Sequence, residues 1–368
     1  MTSNLRQKSY VFRGEQLGKE DYERRMKEIN FGSYSTIEAL KKEFKEMCAH
    51  SLRAPGTFKN VTRTTGNAIA NATNCRACFH GSDLENCAYL VFVNDAKDSM
   101  DVNNGCCMME LFYETCTAGL KSSNVKFSVD AWPEVYNLQY CDCCRNGSHD
   151  LFGSVSMRKK EYCILNKQYS KEEYEALVPK IIKQMSDMPY TDKKGRVYKY
   201  GEFFPVESSP FPYPDTSAQD FFPLDAEKSD VLGFAWRPAD VREYDITLLA
   251  KDIPDDIKDV SDDILKQTIS CLHEGKCGER CPAAFRIIPE ELAFYRRMNL
   301  PIPRLCSNCR HYQRLAQRNP LKLWRRRCMC DLDTHSHKGP CSNEFETSYA
   351  PERKEIVYCE SCYNSEVV

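Results

Sequence analysis

Residues 74–105 read NCRACFHGSDLENCAYLVFVNDAKDSMDVNNG, a run of short apolar or aromatic peaks broken by Asn, Asp, Gly and Ser. The pattern continues to Asn166, with later peaks near Tyr113, Phe127, Tyr140, Phe152 and Ile164. Peaks about eleven to fourteen residues apart suit strands joined by turns. The turns recur with similar composition at Asn94-Asp95, Asn103-Asn104 and Asn146-Gly147. A β-solenoid is therefore expected over 74–169. A β-sandwich is the alternative, because the repeat is degenerate.

The flanking segments differ in character. In 1–73, a helical region, Ser35-Thr-Ile-Glu38 reads as a capping box, and Ile37, Leu40, Phe44 and Met47 fall on one helical face. Pro55 to Asn74, rich in Thr, Asn and Gly, reads as loop. Downstream, Ser170-Lys-Glu-Glu173 opens a second helix, through Met185, bent or restarted at Pro179. Met188 to Pro223 alternates Pro with aromatics and is expected as an extended strap wrapping the solenoid. An acidic stretch from Asp240 to Asp263 and a short helix at Ser261 to Leu272 complete the linker of 170–263. The whole is α+β: a Cys-rich solenoid, flanking helices, and tandem zinc ribbons over 264–368.

The chain has 368 residues with 42% hydrophobic content, enough for two or three domains with a core. Its 21 cysteines are odd in number, and the first residues, MTSNLRQKSYVFRGEQ, lack an apolar segment for export. Cytoplasmic location, with thiols reduced or held by metal, is the expectation. No stretch has the length of a membrane span. A net charge of -2 gives no global attraction to polyanions, so partners must be read from local clusters.

Two C-x2-C turns, Cys306/Cys309 and Cys359/Cys362, present soft ligands at zinc-binding spacing. Each needs an upstream partner turn. Cys271-x-His273-x-Gly275-x-Cys277 and His335-x-His337-x-Gly339-x-Cys341 align without gaps, which suggests an internally duplicated loop. The first expected site is Cys277, Cys281, Cys306 and Cys309, with Cys271 or His273 as substitutes. The second is Cys341, Cys359 and Cys362 with His337, His335 or Cys330. Two structural zinc ions are expected. For Cys75, Cys78, His80 and Cys87, and for Cys141, Cys143 and Cys144, stacked core thiols are favoured over a third metal site.

The stretch CGERCPAAFRIIPEELAFYRRMNLPIPRLCSNCRHYQRL (277–315) resembles a treble-clef-like zinc-ribbon domain in which two cysteine knuckles flank an E-L-x-F-Y helix. With ELFYE, EYCILNKQYSKEEYE, YGEFFP, NPLKLW and ETSYAPERKEIVYCESCY, the chain from about Asn74 onward is similar to a zinc-ribbon family of candidate-phylum bacteria. The three-residue gap between Cys277 and Cys281 departs from the usual two. The resemblance implies zinc and no assigned activity.

From Leu292 to Cys330 there is no acidic residue, while Arg310, Arg314, Arg318, Lys322, Arg325, Arg326 and Arg327 are interleaved with His311, Tyr312 and Trp324. Cations for phosphates and rings for bases are what single-stranded nucleic acid requires. RNA or a ribonucleoprotein is the expected partner. A protein partner, or docking of these arginines on the chain's own acidic stretch, is the alternative. Non-catalytic binding is expected, against an enzyme reading directed at carbohydrate or thiols. That reading would use Asp95, Asp98 and Asp101, near Asp130 and Asp150, although Asx turns explain the same residues.

Overall fold

The computed structural model describes residues 1–238 and 243–367. Its centre is a parallel β-solenoid in which strands from Phe58–Glu85 to Glu161–Ile164 pair in sequence order, each coil on the next. The expected solenoid is present, and it begins at Phe58. Pro55 to Asn74, expected as loop, includes its first turns.

The coil is built on a step of three. Ile69, Ala72, Cys75, Cys78, Leu84, Cys87, Leu90, Val93 and Ala96 are buried, and the residue before each (Ala68, Asn71, Asn74, Ala77, Asp83, Asn86, Tyr89, Phe92, Asp95) has a left-handed φ. Two extended residues and one left-handed residue make a side and a corner. An offset of 12 between stacked residues, divided by three, gives four sides per coil. The middle coils have an offset of 13, and the last pairing, Glu161–Ile164 on His149–Phe152, returns to 12. The extra residue falls on one corner each time, between Gly105 and Met109, Ala118 and Ser122, Ala131 and Val135, and Cys144 and Ser148. That insertion makes the repeat irregular in sequence.

A left-handed φ is uncommon for residues with a side chain, and Asn and Asp tolerate it best. They also gain from stacking: Asn74 donates to Asn86 and Asn86 to Asp98, both at 2.9 Å, and Asn124, Asn137 and Asp150 repeat the ladder at 2.8 and 2.9 Å. Inside, small inward positions are filled by Cys and Ser, whose S–H and O–H donate to the coil's own carbonyls two residues back. Cys75 to Thr73, Cys87 to Glu85, Cys141 to Gln139 and Ser128 to Lys126 follow this pattern. These thiols are satisfied core groups. His80 points away from them and stacks on Phe92 outside, at 5.0 Å between ring centroids.

Eight helices lie among the described residues: α1 (Lys19–Lys27), α2 (Tyr34–His50), α3 (Lys171–Asp187), α4 (Ala218–Phe221), α5 (Ala226–Val231), α6 (Pro289–Met298), α7 (Ser307–Leu315) and α8 (Glu360–Glu366). The N-cap of α2 is Ser33, not Ser35; its hydroxyl accepts from Thr36 N–H. The capping box at Ser170 and Glu173 is present, and α3 runs unbroken through Pro179. Its Tyr174 and Val178 pack on Phe152 and Ile164 of the solenoid.

The strap of 188–223 lies on the solenoid's aromatic corners. Tyr140 donates to Glu202 O, Tyr200 to Gln139 Oε1, and Phe221 meets Phe92. It contains short turns of 3-10 helix at Val206–Ser208 and Tyr213–Asp215 as well as α4. Asp240, where the acidic stretch begins, lies outside the described residues. The remainder docks internally: Asp255 accepts from Ser33 Oγ–H and Ser35 N–H at the start of α2, and Asp256 accepts from Asn30. The helix expected at 261–272 is a 3-10 turn at Asp262–Lys266.

The corner ladder generates a test. Asn137→Val, which places a β-branched residue at a left-handed φ and removes two amide hydrogen bonds, should destabilise the protein by about 2 to 4 kcal/mol. Asn137→Gly keeps the backbone unstrained and should cost clearly less. Thermal unfolding of both variants decides; equal losses would mean that the corner conformation contributes nothing.

Candidate metal centres

Each C-terminal module starts as a hairpin. Ile269–Ser270 pairs with Ala284–Phe285, and Trp324–Arg327 with Glu344–Thr347. A cysteine follows the first strand, Cys271 or Cys328, and another stands three residues before the second, Cys281 or Cys341. The same backbone bonds recur in both: Cys271 N–H to Ala283 O (2.7 Å) and Cys328 N–H to Asn343 O (2.9 Å), Leu272 N–H to Arg304 O (3.0 Å) and Met329 N–H to Val357 O (3.1 Å). The C-x2-C turn then opens a helix, with Cys306 as the N-cap of α7 and Cys359 as that of α8. A helix N-terminus favours thiolate.

The duplication is therefore real in space but its register differs from the gapless alignment. Cys271 is equivalent to Cys328, not to His335, and His273 to Cys330, not to His337. The loops between equivalent cysteines differ in length, so the local match of 271–277 with 335–341 follows spacing alone.

Cys271, Cys281, Cys306 and Cys309 converge, and so do Cys328, Cys341, Cys359 and Cys362; either group can hold a metal ion. Four sulfurs each about 2.3 Å from one zinc lie about 3.8 Å apart. The observed Sγ–Sγ separations are 3.8 Å for Cys271–Cys309, Cys306–Cys281 and Cys362–Cys341. Disulfide bonding would need about 2.05 Å, and every cysteine is free. Of the residues expected for the first site, Cys281, Cys306 and Cys309 come together and Cys271 completes the quartet; Cys277 stands beside it, 3.6 Å from Cys309. In the second, Cys328 joins Cys341, Cys359 and Cys362. Cys328 is absent from the ligand set expected from sequence, although its position just before Met329-Cys330 is a C-x-C signal. Cys330, His335 and His337 form a separate group with Cys362.

The electrostatics act on these thiols in opposite directions. Cys306 N–H donates to Cys271 Sγ (3.3 Å), and Cys359 N–H to Cys328 Sγ (3.1 Å). Burial pushes Cys359 up, but the Asn343 amide and the Cys362 backbone N–H hold it down at about 7. Burial pushes Cys271 up to about 11. A bound cation compensates such a buried thiolate.

The basic segment is less free than its sequence suggests. Arg310 pairs with Glu291 and bonds Tyr295 Oη, Arg325 and Arg327 share Glu344, Arg326 donates to Ala350 O, and Arg318 donates to Asp220 O while lying over Phe221. Docking on the acidic stretch is limited, among the described residues, to neighbours of the segment: Arg296 pairs with Asp262, and buried Arg304 donates to Ile253 O and Pro254 O. Arg314 and Lys322 are exposed and have no carboxylate partner among the described residues; Lys322 Nζ lies 5.2 Å from the half-buried Trp324 ring.

Asp95, Asp98 and Asp101 occupy three successive corners of one coil and do not converge. Asp95 accepts from Met108 N–H, Asp98 from Asn86, Asp130 from Arg145 and Trp132, and Asp150 from Asn137. No helix among the described residues is long and apolar enough to cross a membrane. No family model, curated protein or solved structure matches the chain.

The four-cysteine geometry generates two expectations. Cys271→Ser should weaken metal retention in the first module at least tenfold, whereas Cys277→Ser should leave the Cys271, Cys281, Cys306 and Cys309 ion in place; competition with a chromophoric chelator measures both. Full chelation should abolish hydrogen-exchange protection after about residue 264 while amides of the solenoid keep theirs. Loss of protection throughout would make the modules essential to the whole fold.

Proposed function

We propose that the protein is a non-catalytic binder of single-stranded RNA whose C-terminal modules are fixed by zinc. Thiolate-rich, buried four-ligand sets favour zinc and leave no position for a reacting water, so the role of the ions is structural. The observation that carries the RNA reading is a groove between the solenoid and the inter-module segment. It consists of two clefts of about 330 and 300 Å³ that share Leu321.

One cleft is lined by Arg76 and Tyr89 of the solenoid, Phe222 of the strap and Lys322. Tyr89 and Phe222 are exposed, and Arg76 lies 5.8 Å from the Tyr89 ring centroid. In the other, Arg318 covers Phe221 at 4.6 Å. Rings beside unpaired cations serve bases and phosphates together. Asp220, Glu279 and Glu346 also line the groove, which limits the number of phosphates it can accept. The contact set thus centres on Arg76, Tyr89, Phe222 and Lys322, with Arg325 and Arg327 outside the two clefts and sharing Glu344.

Binding of a fluorescent single-stranded RNA should weaken with salt, and Lys322→Ala or Arg76→Ala should each flatten the log–log slope by about 0.7. Tyr89→Ala should weaken binding by about 1 to 3 kcal/mol with the slope kept. Arg325→Ala with Arg327→Ala should change the slope little. No RNA binding by the wild type at low salt would end this reading, with a protein ligand of the same groove as the outcome to pursue.

A further inference from the structure

Next to each tetrathiolate stands a second ligand group. His273, Cys277, Glu279 and Cys309 have ligand atoms all within 4.8 Å of one another, and so do Cys330, His335, His337 and Cys362. Each outer group shares one cysteine with its inner neighbour, Cys309 in the first module and Cys362 in the second. Both shared cysteines are the last of a C-x2-C turn and sit in the first turn of a helix, at equivalent positions. We infer that each module is a binuclear metal site in which that thiolate bridges two divalent ions of the zinc class. This inference rests on the inner tetrathiolates holding metal, as proposed above.

The outer histidines are set as ligands. His335 is 4% exposed at its side chain, and its Nε2 lies 3.0 Å from Glu366 Oε1. A carboxylate only accepts, so Nε2 carries a proton and, in the neutral ring, the Nδ1 lone pair faces Cys330 Sγ, 3.1 Å away. His337 is held the other way round: Nδ1 is 2.8 Å from Gly339 O, which fixes its proton there, and the Nε2 lone pair faces Cys362 Sγ at 3.3 Å. An imidazole anchored by a carboxylate or carbonyl on its far nitrogen is the arrangement of metal-bound histidine. Once Cys362 is a thiolate on the inner ion, it has no proton to offer His337. Two lone pairs would then oppose each other at hydrogen-bond distance, and a cation between them resolves the conflict.

In the first module, His273 Nδ1 and Glu279 Oε2 are buried atoms 3.2 Å apart, at ion-pair distance but without hydrogen-bond geometry. Buried polar atoms without a hydrogen bond are costly, and these two lie with Cys277 and Cys309 within 4.8 Å of one another, 3.6 Å separating Cys277 Sγ from Cys309 Sγ. A single four-coordinate ion cannot engage both groups of either module.

The two modules reached this arrangement with different residues. His273 is equivalent to Cys330 in the hairpin, while the outer loop supplies Cys277 and Glu279 in one case and His335 and His337 in the other. Equal placement with unequal chemistry points to retention of the second ion rather than of a particular sequence.

Native mass spectrometry of the full chain expressed with zinc should find one ion for each of the four groups. His335→Ala with His337→Ala, and separately His273→Ala with Glu279→Ala, should each lose one ion with unchanged circular dichroism. Because an alanine variant can misfold, the wild type reloaded with ¹¹³Cd provides a second readout. Its spectrum should show cadmium resonances coupled in pairs through the shared sulfur, with the inner, all-sulfur ions at the low-field end. Wild-type protein carrying only the two tetrathiolate ions overturns the inference and leaves the zinc reading intact. No bound metal overturns both. A full complement of uncoupled resonances overturns the bridge.

Discussion

The solenoid depends on one backbone constraint, a left-handed residue at every third position. Each such corner costs energy in a residue with a side chain, and the coil repeats the cost many times. It persists because the fold returns a compensation at each corner. The next residue is buried, the corner amide or carboxylate bonds to its neighbour one coil away, and the main chain pairs with the coils on either side. Gly119 shows how closely the coils approach: a Cβ there would lie 2.1 Å from Cys106 O. The strap, α3 and the second module all attach to a scaffold whose regularity comes from this one repeated turn.

Much of that scaffold is legible in the sequence as turn chemistry. Asn94-Asp95 and Asn103-Asn104 mark chain reversals for the same reason that they occupy corners. The three-residue period is not legible, because the inward positions mix Leu and Val with Cys, Ser, Ala and Gly, and the hydropathy contrast vanishes. Residues 58–74 illustrate this: Thr and Asn dominate, and the buried members are as modest as Ile69 and Ala72. The start of the solenoid is therefore hidden in what reads as loop. The extra residue at one corner of the middle coils further blurs the spacing.

At the candidate metal centres, the C-x2-C pairs are legible because both ligands lie within one turn. Their partners are not, because hairpin pairing rather than spacing selects Cys271 over Cys277 and brings Cys328 to Cys359. The basic segment fails in the same way. It is free of acids from Leu292 to Cys330, yet Glu291 lies one residue upstream and pairs with Arg310, and Glu344 arrives on the paired strand and is shared by Arg325 and Arg327. Local composition measures charge along the chain, whereas binding depends on charge in space.

The second module is also where the chain's distant parts meet. Leu52–Arg53 pairs in parallel with Ile356–Val357, and Thr347 donates to Pro55 O across 292 residues of sequence. These are among the longest loops the molecule closes, whereas the solenoid is stitched by contacts about a dozen residues apart. Short-range contacts form first and long closures last. On a ribosome, the coils can wind as they emerge, but the segment that leads into them has no strand to join until the second module has been made and folded. Docking of the N-terminal region is thereby coupled to the folding of the second module.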